Sequence, residues 1–397
     1  METFLARPAS GFAGLAGLYG NRPAGYAAPM SVVDTLTRLV AFPTVSNQPV
    51  TALAGYVAER CEAAGFRVDR FPAPGEGKLN LVCSKGPRGT DGIVLSGHMD
   101  VGPVGGQPWT GDPFVLRQSG SRLVGRGTAD MKGFIAATIE ALAALPTLER
   151  ELVLVWTCDE EVGCLGSKDL VPKLADRPLP RLCVIGEPTS FRILRMHPGH
   201  TAVRITCGGR AAHSSKPDLG ENAIAKAARV IDRLDELASD WRRDVRFADL
   251  LERPFVVMNV ATIQGGNAIN IVPDRCVLDV GFRALPGMVV ADLVGQLRER
   301  VGNLGIVEML RETPAMLTAE GGELEGLLRP DASAPGTGAA SFATDGGNFA
   351  ALGMESLVFG PGSIDVAHMA DEYVDGGELH RAVDVVTGIV SRRCGAR

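Results

Sequence analysis

The sequence predicts an α/β protein: a mostly parallel sheet covered by helices, interrupted by a smaller inserted α+β unit of ferredoxin-like order. Three observations carry that prediction. Short apolar runs at 80–84, 92–96, 122–125, 151–157 and 181–185 alternate with helical stretches, and strands apolar on both faces belong to sheets buried on both sides. From about residue 196 the order becomes strand 201–207, helix 222–243, strands 255–264 and 275–283, helix 289–302 and a strand near 305–311. At 397 residues the chain also exceeds what one ordinary core organises.

Taken in order, residues 1–30 are rich in Ala and Gly, with arginine only at Arg7 and Arg22. They lack the basic start and continuous apolar run of a secretory leader, and a loosely ordered extension is expected there. Helices follow at 31–41 and 48–65, the second closed by Gly65, and another runs from Met131 to Leu145. After the inserted unit, strand 356–360 and helix 377–393 resume the first pattern, while 330–347 reads as a loop. The expected division is a catalytic domain in two pieces, 31–195 and 313–397, around an insertion at 196–312.

Composition excludes several classes. There are 40 basic against 46 acidic residues, a net charge of −6, which argues against a nucleic-acid or anionic-membrane partner. No apolar run reaches the roughly 20 residues that a membrane span requires. Eight cysteines are scattered without a C-x-x-C pair, which fits a reducing, cytoplasmic compartment.

Polar groups that do chemistry in open α/β sheets gather beyond the carboxyl ends of strands. Here such ends carry His98 and Asp100, then Asp159-Glu160-Glu161, then Glu187. Asp130 stands at a strand-to-helix junction, and His368 follows the last strand. Each has a plainer reading: Asp130 as a helix N-cap, Glu187 before Pro188 as a turn residue, the acid run as solvated loop charge. Their convergence on one sheet edge is the informative fact, because grouped carboxylates repel unless a cation neutralises them. Carboxylates with imidazoles and no thiolate suit Zn²⁺, Mn²⁺ or Co²⁺. Nucleotide loops, G-x-S-x-G and H-E-x-x-H are absent from the sequence.

Five strings together resemble the M20 family of metallopeptidases and deacylases, from about residue 31 to the C-terminus. They are Ser96-Gly-His-Met-Asp100, Gly127-Thr-Ala-Asp-Met-Lys-Gly133, Asp159-Glu-Glu161, Gly186-Glu-Pro-Thr189 and Ala212-His-Ser-Ser215. Within the family the narrower likeness is to its acetylornithine-deacetylase branch, through Trp109-Thr-Gly-Asp-Pro-Phe114, Val184–Ser190, Arg283-Ala-Leu-Pro-Gly287 and Phe359–Asp365 with His368 and Asp371-Glu-Tyr373. The likeness departs at Ser341–Gly347.

The resemblance implies two divalent ions, zinc foremost with cobalt or manganese as alternatives. One would be held by His98, Asp130 and Glu187, the other by Asp130, Glu161 and His368, with Asp130 bridging. Asp100 would orient His98, and Glu160 would be the general base and acid. His213 would reach the site of a partner subunit in a homodimer formed through the inserted unit. Asn270 and Arg283 would meet the substrate carboxylate. The implied reaction is hydrolysis of an N-acyl amino acid, N²-acetylornithine foremost, with desuccinylase, aminoacylase and dipeptidase activities as rivals. A silent metal-containing binding protein would be expected to lack the base or a ligand, and none is missing here. His213 as a loop cap and Arg283 paired with Asp279 are the plainer readings of those two. His197 and His200 are expected to be structural, His380 to lie on an exposed helix, and Asp345 to meet a substrate ammonium.

Overall fold

The computed structural model describes residues 31–396; the extension expected over residues 1–30 lies outside them. Among the described residues the larger sheet has nine strands. Four central ones, in the order Leu152–Thr157, Ile93–His98, Leu182–Ile185, Glu355–Val358, run parallel. Antiparallel pairings flank them: Leu79–Lys85 and then Arg67–Pro72 on one side, Leu194–His197 and then Met316–Leu317 on the other. The short strand Gly338–Ala339 pairs with Leu194–His197.

Alternation along these strands divides two cores. Leu95, Leu154, Val184 and Leu357 join a cluster with helices Val32–Val40, Thr51–Ala63, Lys132–Ala141 and Gly376–Cys394. Val94, Val153, Val155, Cys183 and Val358 face the other way, onto Leu170 and Leu174 of helix Leu165–Leu174. Burial on both faces explains why the strands read as continuous apolar runs. Helix ends follow local chemistry. Ser31 and Asp34 form a reciprocal capping box, and the Asp375 carboxylate accepts from the amides of Gly377 and Glu378 at the start of the last helix.

The second sheet is antiparallel and four-stranded, in the order Val257–Gly265, Arg275–Arg283, His200–Gly208, Ile306–Thr313. Helices Ala223–Trp241 and Val290–Val301 enclose with it a core of its own, including Val203, Ile205, Leu278, Phe282, Leu234 and Leu297. Along His200–Gly208 every second residue is buried, while the alternate positions, Arg204 among them, are only partly covered.

One expectation shifts. The run at 122–125 is strand Arg122–Val124, but it belongs to a separate three-stranded sheet with Arg117–Ser119 and Tyr373–Asp375. Its short length and exposed Arg122 distinguish it from the fully buried central strands. That small sheet matters for the site, because it ties the Asp130 loop to the segment after His368.

Candidate metal centre

The parallel strands end at one edge, and chain direction delivers their following residues to one place. His98 closes its strand, Asp159–Glu161 follow Thr157, and Glu187 follows Ile185. Asp130 arrives on the loop before helix Lys132–Ala141. The Asp130 carboxylate sits between two imidazoles: its Oδ1 lies 2.8 Å from His98 Nε2, and its Oδ2 lies 3.3 Å from His368 Nε2. Glu187 stands 3.7 Å from His98 Nε2, and Glu161 lies 2.6 Å from His368 Nε2. Two overlapping sets, His98–Asp130–Glu161 and His98–Glu160–Glu187, each place one donor atom per residue within 4.8 Å of the others. Gly102 leaves the necessary room, since a Cβ there would lie 2.9 Å from the His368 ring and 3.4 Å from Glu161 Oε1.

The electrostatics show what the cluster lacks. Burial pushes the Glu160 and Glu187 carboxyls well above the usual range, against the pull of His98, and neighbouring carboxylates add to the effect. Burial disfavours charge on His98 as well, yet the Asp130 hydrogen bond and the Glu187 charge outweigh it and raise its pKa. Hydrogen bonds to Asp130 and Glu161 raise His368 to about 11. Glu161 Oε1 is buried without a hydrogen-bond partner among the described residues. Two imidazoles among four clustered acids, with one buried carboxylate oxygen left unmatched, fit a pair of divalent cations.

Asp100 meets His98 through its backbone rather than its side chain. The group facing His98 Nδ1 is the Asp100 backbone carbonyl at 2.9 Å, while its carboxylate is 3.7 Å away. With Nδ1 donating to that carbonyl, Nε2 is the nitrogen turned to Asp130. The Asp100 carboxylate instead accepts from Ser46 Oγ and from the amides of Glu160 and Glu161. The turn ahead of Glu160 is held from its other side by Asp159, which accepts from Lys78 Nζ at 2.6 Å and from the Asn47 amide.

A cavity of about 190 Å³ opens beside the cluster, lined by Glu160, Glu161, His368, His200, Arg283, Thr313, Phe342 and Ile364 among others. His200 and Arg283 also line a cavity of about 430 Å³ on the second sheet and so border both spaces. Arg283 makes no ion pair among the described residues; Asp279 is taken by Arg204 at 2.7 Å. His213 and Asn270 are exposed on adjoining loops of the second unit, where the Ser214 amide donates to the Asn270 carbonyl. They line neither of these cavities. His213 Nδ1 contacts Ser215 Oγ at 2.7 Å. Asp345 does not face the cavity. It is 2% exposed, and its oxygens accept from the Thr157 and Ser167 hydroxyls behind the cavity wall.

His200 is the residue that sequence reading undervalued: it is no part of the donor sets but lines both cavities. Glu372 stood out only as part of a string, and nothing local marks its role. Its buried carboxylate accepts from the amides of Gly127, Ala129 and Asp130 and from Arg126.

Comparison with known proteins decides the family. Residues 94–392 match the model of peptidase family M20/M25/M40. The chain belongs to the M20 family. It is accordingly a metal-dependent amide hydrolase. Among curated relatives, an acetylornithine deacetylase from Myxococcus xanthus is 36% identical over 382 residues, covering 91% of this chain and 97% of the relative. Another from Proteus mirabilis is 32% identical over 384 residues, covering 91% and 96%. An M20 metallo-carboxypeptidase from Sulfolobus solfataricus shares the fold with a TM-score of 0.77 at 17% identity, covering 91% of this chain and 98% of that one. A dinuclear metal-binding M20 peptidase from Bacillus subtilis does so with a TM-score of 0.64 at 12% identity, covering 90% and 97%.

Proposed function

We propose that the protein is a two-metal amidohydrolase that removes the acetyl group from an N-acetyl amino acid, N²-acetylornithine foremost. The observation that carries the reaction is the Asp130 carboxylate shared between two imidazoles, one oxygen to each. In this reading His98, Asp130 and Glu187 hold one ion and Asp130, Glu161 and His368 hold the other, with zinc the leading candidate over cobalt and manganese. When bound, such a pair of ions lowers the pKa of water toward about 7 and polarises an acyl carbonyl.

The chain's own residues supply the rest. Glu160, outside both ligand sets in this assignment, accepts the proton of the attacking water and returns it to the leaving amine. Arg283, cationic and without a carboxylate partner among the described residues, receives the substrate carboxylate in a forked pair, with Asn270 contributing once the two units approach. His213, supplied by a second copy pairing through the inserted unit at 196–312, meets the negative charge that develops on the acyl oxygen. The choice of acetylornithine rests on the curated relatives of that name, which match over nearly the whole chain.

The test is amine release from a panel of acyl amino acids by metal-replete protein. Preference for N²-acetylornithine supports the reading. Preference for succinyl-diaminopimelate or a dipeptide overturns the substrate, and full activity after exhaustive chelation overturns the mechanism.

A further inference from the structure

His368 is the most exposed of the residues at the centre, with 52% of its side chain open to solvent. It also stands on a loop rather than at a strand end, with a left-handed backbone at φ 61°. Something other than sheet geometry must hold it in place, and a ring of hydrogen bonds does so. Gln107 Nε2 donates to the His368 carbonyl at 2.8 Å. Gln107 Oε1 accepts from Arg126 Nη2 at 2.7 Å and from the Trp109 indole at 3.0 Å. Arg126, fully buried, donates through Nη1 to Glu372 Oε2 at 2.8 Å. Glu372 accepts the Asp130 amide at 3.0 Å, and the chain from 372 back to 368 closes the ring.

The donor and acceptor inventory shows why residue 107 is a glutamine. Arginine and tryptophan side chains only donate, and a backbone carbonyl only accepts. A primary amide alone among side chains of this size serves all three at once. Glutamate would keep the Arg126 and Trp109 bonds and set a carboxylate oxygen against the His368 carbonyl.

We propose that Gln107 is a positioning residue for His368, and that the Gln107–Arg126–Glu372 ring sets how tightly the ion between Asp130, Glu161 and His368 is held. This rests on the two-ion reading given above. The other ion shares Asp130 but takes its remaining ligands, His98 and Glu187, from buried strand ends that Gln107 does not touch. Ligand-orienting hydrogen bonds of this kind change metal affinity by about 10–100-fold.

The test is Zn²⁺ titration of metal-free wild type, Gln107→Ala and Gln107→Glu, read by stoichiometry and by the visible spectrum of Co²⁺-substituted protein. Both variants are expected to keep the tight equivalent and lose about 10–100-fold on the second. Their metal-free thermal midpoints should match wild type within a few degrees. Gln107→Glu separates the two duties open to this residue. If holding Arg126 were what mattered, Glu would rescue, and rescue overturns the proposal. Two equivalents bound with wild-type affinity in both variants also overturns it, as does equal weakening of both ions. Wild-type protein that binds fewer than two equivalents refutes the two-ion reading itself.

Discussion

Replacing Glu160 with Gln isolates one atom's chemistry. The side chain keeps its length and its carbonyl-like oxygen, so the contact from Cys164 Sγ at 3.2 Å to Glu160 Oε1 has an acceptor to keep. What disappears is the ability to take up a proton. Burial, with the surrounding carboxylates, raises the Glu160 pKa above the usual carboxylate value when no cation is bound. A positioned acid–base group contributes about 10²–10⁴-fold, or about 3–5 kcal/mol of barrier. The expected outcome is a kcat lower by that factor with KM near wild type. The assay is steady-state release of ornithine from N²-acetylornithine, paired with metal content by atomic emission. The pairing matters because Glu160 also lies within 4.8 Å of His98 and Glu187 donor atoms. Loss of a metal equivalent would show that Glu160 is a ligand, and undiminished turnover would remove it from proton transfer; either result refutes the reasoning.

Arg283→Ala should raise KM about 10–100-fold with a smaller change in kcat, the cost of one charge-assisted pair, in steady-state kinetics. His213→Ala should lower kcat, and mixing it with Glu160→Gln should restore part of the activity if sites are completed across two copies; no recovery in mixed dimers counts against that arrangement. Lys78→Met should cost about 3–5 kcal/mol in denaturant unfolding, because it strands Asp159 in a pair whose side chains are 5% and 9% exposed. Burial, aided by nearby Arg283 and opposed by the Pro198 carbonyl, holds His197 down at about 4. The unfolded chain takes up that proton near 6.5, so the contribution is constant above that pH and stability falls as pH drops from 6.5 toward 4. Wild type should lose about 2–3 kcal/mol more than His197→Gln between about pH 7 and 4.5 in urea titrations.

Much of the centre was legible because strand chemistry is local. An apolar run that stops at His98, Asp159 or Glu187 marks a carboxyl end, and parallel strands place all their carboxyl ends on one edge. Period and order likewise exposed the ferredoxin-like unit, whose strands alternate buried and open residues. Asp345 misled for the opposite reason: as a loop acid it read as available, and only packing against Thr157 and Ser167 withdrew it.

Hydrophobic periodicity and chain direction are written along the chain, and they placed the grouped acids and imidazoles at strand ends, while the resemblance supplied the ligand assignment. The partners that hold those residues still emerged only on folding. Glu372 reaches Asp130 across 242 positions, and Gln107 reaches His368 across 261. Contacts over such separations leave no periodic trace, because they exist only once the sheet has brought distant loops to the same edge.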